Sequence, residues 1–394
     1  MSGKDRWLLP EGFEELLPNE ARRVETMRRR VIDLFHIWGY DLVMPPMIEY
    51  LDSLLTGVGK ELDLQTFKIV DQLTGRLMGI RPDMTPQAAC IDAHYLKRTV
   101  PVRLCYLGPV LHARPDQFAG SREPLQLGAE LFGHAGIESD VEVLCLMVAT
   151  LELAGVKDLH IDLGHVGVFR GLMAAANLDE DDEAELFDAL QAKAAVDVSR
   201  LLEACGASAP IKRMLLSLID LNGGAEVLSA AKKCFESAPP AVVQALENLE
   251  AVAAAVNRQL PDRPFYFDLA ELTGYRYYTG AVFSAFVPAY GRAVARGGRY
   301  DGIGKAFGRA RPATGFGADL RELLKLLAAE ESEPQGILAP CDDDAAVRAE
   351  IARLRATGER VVVCLPGVSL SAQDSGCDRE LVQKDGRWVV AKAR

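Results

Sequence analysis

The residue types that carry chemistry are scattered in this chain rather than clustered. Eight cysteines stand at 90, 105, 145, 205, 234, 341, 364 and 377, and no pair has the CxxC spacing of a zinc site. Most are single residues set among apolar ones, as in Leu144-Cys145-Leu146 and Val363-Cys364-Leu365. They read as reduced core positions. His36 and His94 fall on amphipathic helix faces, while His160 and His165 flank a strand end. The first two read as satisfied surface or core histidines and the last two as too isolated for a metal site, so no metal is expected. A loop that cradles a sugar 5′-phosphate needs adjacent acids followed by a Thr-Gly turn, whose amides and hydroxyls hold the anion. Asp342-Asp343-Asp344 leads instead into an Ala/Arg helix and reads as a solvated capping turn, and Thr314-Gly315 has no acids before it. Arg28-Arg29-Arg30 follows the polar face of a helix and reads as a solvated or interface face.

Bulk properties narrow the classes further. A chain of 394 residues that is 49% hydrophobic can bury a large domain and one or two smaller pieces. Its formal net charge of −12 counts against a nucleic acid as the main partner, because phosphate binding draws on Lys and Arg. No apolar run approaches the roughly 20 residues that span a bilayer. Met1 to Arg6 is polar with no signal-peptide core behind it, so a soluble, cytoplasmic protein is expected.

The elements that must position any site begin with a helix over 19–38. Val24, Met27, Val31, Leu34, Phe35 and Trp38 recur at helical spacing, with Asn19 as the expected N-cap and Gly39 as the stop. Residues 67–80 predict a β-hairpin turning over Asp71 to Gly75. Strands are expected at 102–112, 125–134, 159–164, 265–269, 277–287 and 293–296, with an amphipathic helix at 139–154 and another helix at 317–329. From about 167 to 260, alanine, leucine and acidic residues dominate, which predicts an inserted helical module. Glu330 to Gln335 reads as a linker. Beyond it, a helix at 344–356, a strand at 361–363 and a hairpin around Lys384-Asp385-Gly386 predict a small αβ unit. Hairpins mixed with helices make the fold class α+β.

Four segments, in order, resemble class II aminoacyl-tRNA synthetases and the histidyl enzymes in particular. The helix running through Gly39-Tyr40 to Pro45-Pro46-Met47-Ile48-Glu49 resembles the dimer-forming motif 1. Arg81-Pro82-Asp83-Met84-Thr85 is similar to the family's Arg-Pro-Glu-Gly-Thr. Gly108-Pro109-Val110 through Gln126-Leu127-Gly128-Ala129-Glu130 has the landmarks of motif 2. Thr273 to Gly280, then Gly297-Gly298-Arg299-Tyr300-Asp301, resemble the histidine-specific signatures, with motif 3 at Gly315-Phe316. The resemblance runs from about residue 8 to 328. It implies a class II-like antiparallel sheet flanked by helices over 1–329, carrying the helical module. Residues 336–394 then form a short αβ segment rather than a full anticodon-binding domain.

Set against that family, the cations of amino-acid activation are missing. His112 follows Gly108-Pro109-Val110-Leu111 where the resemblance implies an arginine. Arg114 stands where a glutamate would meet adenine, Thr273 where the tyrosine-rich signature begins with arginine, and Glu322 at the last arginine of motif 3, one residue after Arg321. Adenylate formation concentrates negative charge, which neither Thr nor Glu stabilises, and losses on one transition state compound. An active histidine–tRNA ligase, or a ligase acting on another substrate, is therefore disfavoured. No catalytic residue and no cofactor are expected.

The positions implied to line a histidine pocket survive better: Asp83, Thr85, Gln126, Glu130, Tyr277 and Tyr278. Carboxylates suit an ammonium group, and hydroxyls suit an imidazole nitrogen. The stretch Arg122 to Gly133, together with Arg81 to Gln87, is similar to the regulatory subunits of two-component ATP phosphoribosyltransferase. That resemblance implies a non-catalytic subunit that dimerises and joins a short catalytic chain in a hetero-octamer. It also implies L-histidine as feedback effector, and neither tRNA nor membrane as partner.

Overall fold

Met27, Val31 and Phe35 are buried on one face of the helix Pro18–Ile37, as their spacing requires. Asn19 does not cap it. Leu17 is the N-cap, and Pro18 opens the helix with the fixed φ that suits a first turn. The computed structural model describes residues 7–57, 59–115, 121–176, 178, 180–271, 274, 277–288, 290–327, 336–342 and 344–393. The expected linker Glu330 to Gln335 lies outside them, as do Thr273 and Asp343. Two compact units form, Met1–Leu327 and Ala328–Arg394.

The first unit is built on a nine-stranded sheet. In spatial order its strands are Asp41–Leu42, Val102–Pro109, Leu125–Phe132, Ala313–Asp319, Ala293–Arg299, Ala281–Phe286, His160–His165, Phe265–Asp268 and Asn222–Gly223. The central six pair antiparallel, and parallel pairs join Asp41–Leu42 to Val102–Pro109 and His160–His165 to Phe265–Asp268. Strand alternation sends Leu125, Leu127, Ala129 and Leu131 to the face covered by helices, and Gln126, Gly128, Glu130 and Phe132 to the other.

Ile137–Leu153 lies at the centre of the covered face. It is buried almost all round rather than amphipathic, because the helix Pro18–Ile37 and the inserted helices close over its outer side. Arg299 fixes this helix to the sheet. Its buried guanidinium bonds Asp140 Oδ2 at 3.0 Å, Ser139 Oγ at 2.9 Å and the Gly136 carbonyl at 3.0 Å. The inserted helices run from Val166–Ala176 to Pro240–Gln259 and share the same apolar core. The run expected to be helical from 317 instead extends a strand through Asp319. The helix is only Leu320–Lys325, because Asp319 caps it by accepting from Arg321 N at 2.9 Å.

A separate three-stranded sheet contains the expected hairpin Phe67–Val70 and Leu77–Ile80 beside Ile48–Tyr50. Asp71 organises its turn, accepting from Leu73 N at 3.0 Å and Thr74 Oγ1 at 2.6 Å. In the second unit the strand order is Val361–Val363, Ile337–Ala339, Arg379–Lys384 and Arg387–Lys392, packed through Val347, Ile351 and Leu354 of the helix Ala345–Ala356. Asp344 caps that helix at Ala346 N. The cysteines are all free, but Cys234 and Cys341 are exposed and only Cys105, Cys145 and Cys377 are fully buried, so the core reading was too broad. Apolar neighbours in sequence do not bury a residue at a helix end or in a turn.

Candidate functional site

The other face of the central sheet is paved with glycine. Gly108, Gly128, Gly298, Gly315 and Gly317 all point that way in adjoining strands. Close approach explains this. A methyl group at Gly315 would overlap the Glu130 carboxylate, and one at Gly128 would overlap the Tyr106 hydroxyl. Functional side chains lie flat across this floor instead of standing on it.

All six residues implied to line an amino-acid pocket meet here. Asp83 sits just before the helix Thr85–Cys90, where its Oδ1 accepts from Gln126 Nε2 at 2.6 Å and from Thr85 N at 2.9 Å. Gln126 Oε1 in turn accepts from Met84 N at 2.9 Å. Thr85 Oγ1 lies 2.8 Å from Tyr106 Oη, which donates to Glu130 Oε1 at 2.8 Å. Tyr300 Oη donates to the other carboxylate oxygen. Tyr277 stacks on Tyr300 with centroids 4.9 Å apart, and Tyr278 meets Tyr277 edge-on at 5.3 Å.

Burial sets the electrostatics of this ring. Glu130 is 1% exposed, and desolvation pushes its carboxyl up to about 8, opposed by the hydrogen bonds from Tyr300 and Tyr106. Desolvation, reinforced by the Glu130 charge, holds Tyr106, Tyr277, Tyr278 and Tyr300 well above the ordinary phenol range, so all four remain donors. The buried Tyr277 hydroxyl forms no well-made hydrogen bond. A ring of donors around the two carboxylates Asp83 and Glu130 suits a small cation that carries its own polar groups.

Beside this ring lies a cavity of about 240 Å³, lined among others by His112, Gln126, Arg292, Arg296, Asp319 and Glu322. His112 Nε2 is 3.0 Å from the Pro82 carbonyl. Glu322 binds cations of the protein itself, accepting from Arg292 Nη2 at 2.6 Å and Lys325 Nζ at 3.0 Å, with Tyr290 also donating to it. Arg321, the next residue before it, pairs instead with Glu123 at 3.3 Å. Arg114 is exposed.

A family model described as histidyl-tRNA synthetase matches residues 12–323, and one described as ATP phosphoribosyltransferase subunit HisZ C-terminal domain matches 334–391. A protein of Alkalilimnicola ehrlichii named ATP phosphoribosyltransferase regulatory subunit is 56% identical over 392 residues, covering 99% of this chain and 98% of its own. A Thioalkalivibrio sulfidiphilus protein of the same name is 54% identical over 392 residues, covering 99% of each chain. The chain belongs to the family of ATP phosphoribosyltransferase regulatory subunits. A Bacillus halodurans structure, described as an ATP phosphoribosyltransferase regulatory subunit/histidyl-tRNA synthetase, aligns with a TM-score of 0.83 at 29% identity, covering 95% of this chain and 97% of its own. A histidyl-tRNA synthetase from a Nostoc species shares the fold, with a TM-score of 0.81 at 20% identity, covering 98% of this chain and 97% of its own.

The architecture is therefore α+β of the histidyl-tRNA synthetase type, in a family whose members are regulatory, non-catalytic subunits in histidine biosynthesis. Within this regulatory-subunit chain, sequence reasoning missed Tyr106 and Tyr300, the two donors to Glu130. Tyr300 stood inside a quoted signature. Tyr106 carried only the signal of alternation, facing Gly128 across the ladder. Arg292 and Arg296 were missed because neither occupies a motif position. Among the described residues, no helix is long and apolar enough to cross a membrane, and no group of His, Cys, Asp or Glu is placed to hold a metal ion.

Proposed function

We propose that this chain joins a short catalytic ATP phosphoribosyltransferase subunit, raises its activity, and makes it sensitive to free L-histidine bound in the Glu130 ring. The observation that carries the reading is a contrast between neighbouring halves of one cleft. The amino-acid half keeps Asp83, Thr85, Gln126, Glu130, Tyr277 and Tyr278 in a connected network. In the nucleotide half, Glu322 stands as an acid and occupies Arg292. A sensor needs only the first half, whereas adenylate chemistry needs both. The chain self-associates as a dimer within a cytoplasmic hetero-octamer and has no tRNA partner. Its second unit, a four-stranded sheet with one helix, serves the assembly and not an anticodon.

The test is to purify the chain with the short catalytic subunit and to assay phosphoribosyl-ATP formation with and without it, across a histidine titration. Higher activity and new histidine sensitivity are expected. Unchanged activity would remove the regulatory assignment, and ATP–pyrophosphate exchange dependent on histidine would restore the ligase reading.

A further inference from the structure

We propose that Arg296 is the carboxylate-binding residue of the amino-acid pocket, which makes the site selective for a free α-amino acid. The inference rests on the pocket reading above and adds the group that would hold the ligand's negative end. Arg296 stands on the same sheet face as Glu130, opposite Gly317 on one side and Ser284 on the other. Its side chain is exposed and lines the cavity next to Gln126.

The other charged groups on that face have partners. Arg292 is held by Glu322, Asp319 accepts from the amides of Leu125 and Arg321, and Asp162 lies 3.0 Å from His160 Nε2. Among the described residues the Arg296 side chain makes no hydrogen bond or ion pair. Its neighbour on the same strand face, two residues on, is Gly298, against which the Tyr278 ring packs. Strand spacings put the Glu130 and Arg296 Cα atoms about 12 Å apart, two strands over and two residues along. The cavity beside the ring is bounded by Gln126, Gly317 and Arg296, so an amino acid would lie over Gly317. Its cationic and ring nitrogens would face Asp83, Glu130 and the tyrosines, and its carboxylate would face the guanidinium, the partner with the best geometry for it.

Calorimetry on the full chain, alone and assembled with the catalytic subunit, tests the idea with L-histidine and with histamine, which lacks only the carboxylate. Histidine should bind the unaltered chain about 10- to 100-fold more tightly than histamine, the worth of one charge-assisted contact. Arg296→Gln should remove that advantage and leave histamine affinity within about twofold, while Arg296→Lys restores part of it. Equal losses for both ligands, or full histidine affinity in Arg296→Gln, would overturn the role of Arg296 and leave the pocket standing. No binding of either ligand to the unaltered chain would overturn the pocket and this inference together.

Discussion

Arg292 Nη2 donates to Glu322 Oε2 at 2.6 Å, so the acid on the helix Leu320–Lys325 binds a cation from the bend just before the strand Ala293–Arg299. Lys325 reaches the other oxygen at 3.0 Å. The acid at 322 is thus part of an ion network.

Restoring an arginine there should not restore activation. Glu322→Arg places two guanidinium groups in contact and frees Lys325. Partly exposed pairs are screened, so the expected cost is about 1–3 kcal/mol, read as a lower urea midpoint. ATP–pyrophosphate exchange should stay at background, because the synthetase resemblance implies a further cation lost at His112. Measurable exchange by Glu322→Arg alone would show that the network, not the full set of losses, silences the cleft.

Glu130 gives the unliganded chain a distinctive pH dependence. Its carboxyl is raised by burial from 4.5 to about 8 in the folded state. Between those values the folded chain holds a proton that the unfolded chain has released, so the contribution to stability is full below about pH 4.5 and is lost as pH rises through about 8. The total is on the order of 3–5 kcal/mol. Glu130→Gln should flatten this part of the stability–pH curve in denaturant titrations from pH 5 to 8.5. The same slope in the variant would mean that Glu130 is charged throughout.

Two glycines of the floor separate fold from ligand. At Gly315 a methyl group collides with the buried Glu130 carboxylate, so Gly315→Ala should destabilise the chain by about 3 kcal/mol. At Gly317 the nearest atoms to a new Cβ are Leu127 O at 3.6 Å and Gln126 Nε2 at 3.8 Å, ordinary contacts. Gly317→Ala should therefore fold with a loss below about 1 kcal/mol, yet bind histidine more weakly because it raises the floor. Calorimetry and urea melts on both variants check the pair, and full affinity in Gly317→Ala would place the ligand elsewhere.

How far the sequence reveals such a site depends on the range of the interactions. The hairpin Phe67–Ile80 was legible because alternation and an Asp-Thr-Gly turn are local, and so was the Asp344 cap. The residues Asp83, Gln126 and Glu130 were legible through motif resemblance alone. The end of the Ala313–Asp319 strand was misjudged, since Gly317 and Ala318 become strand only by pairing with Gly128 and Leu127, far away in the chain. Arg292 was illegible for a similar reason, as its partner lies thirty residues on and is brought near by the pairing of the strands Ala293–Arg299 and Ala313–Asp319 that the two residues flank.

The tyrosines around Glu130 divide between structure and ligand, and single hydroxyl deletions should tell them apart. Tyr300 Oη donates to Glu130, so Tyr300→Phe leaves a buried carboxylate with one donor fewer. That pushes the Glu130 carboxyl higher still and costs about 1–3 kcal/mol above pH 8, where the group must ionise. Below pH 6 the cost should shrink, because the protonated acid needs less support. Tyr277 Oη is buried without a well-made hydrogen bond, while its ring stacks on Tyr300. Tyr277→Phe keeps the stacking and removes only a hydroxyl that makes no well-made hydrogen bond, so its stability should change by less than about 0.5 kcal/mol at any pH. If that hydroxyl is reserved for a ligand's ring nitrogen, histidine affinity should nevertheless fall by about five- to tenfold. A Tyr277→Phe chain with unchanged affinity would make the hydroxyl a packing remnant and move recognition of the ring onto Glu130 and Tyr278.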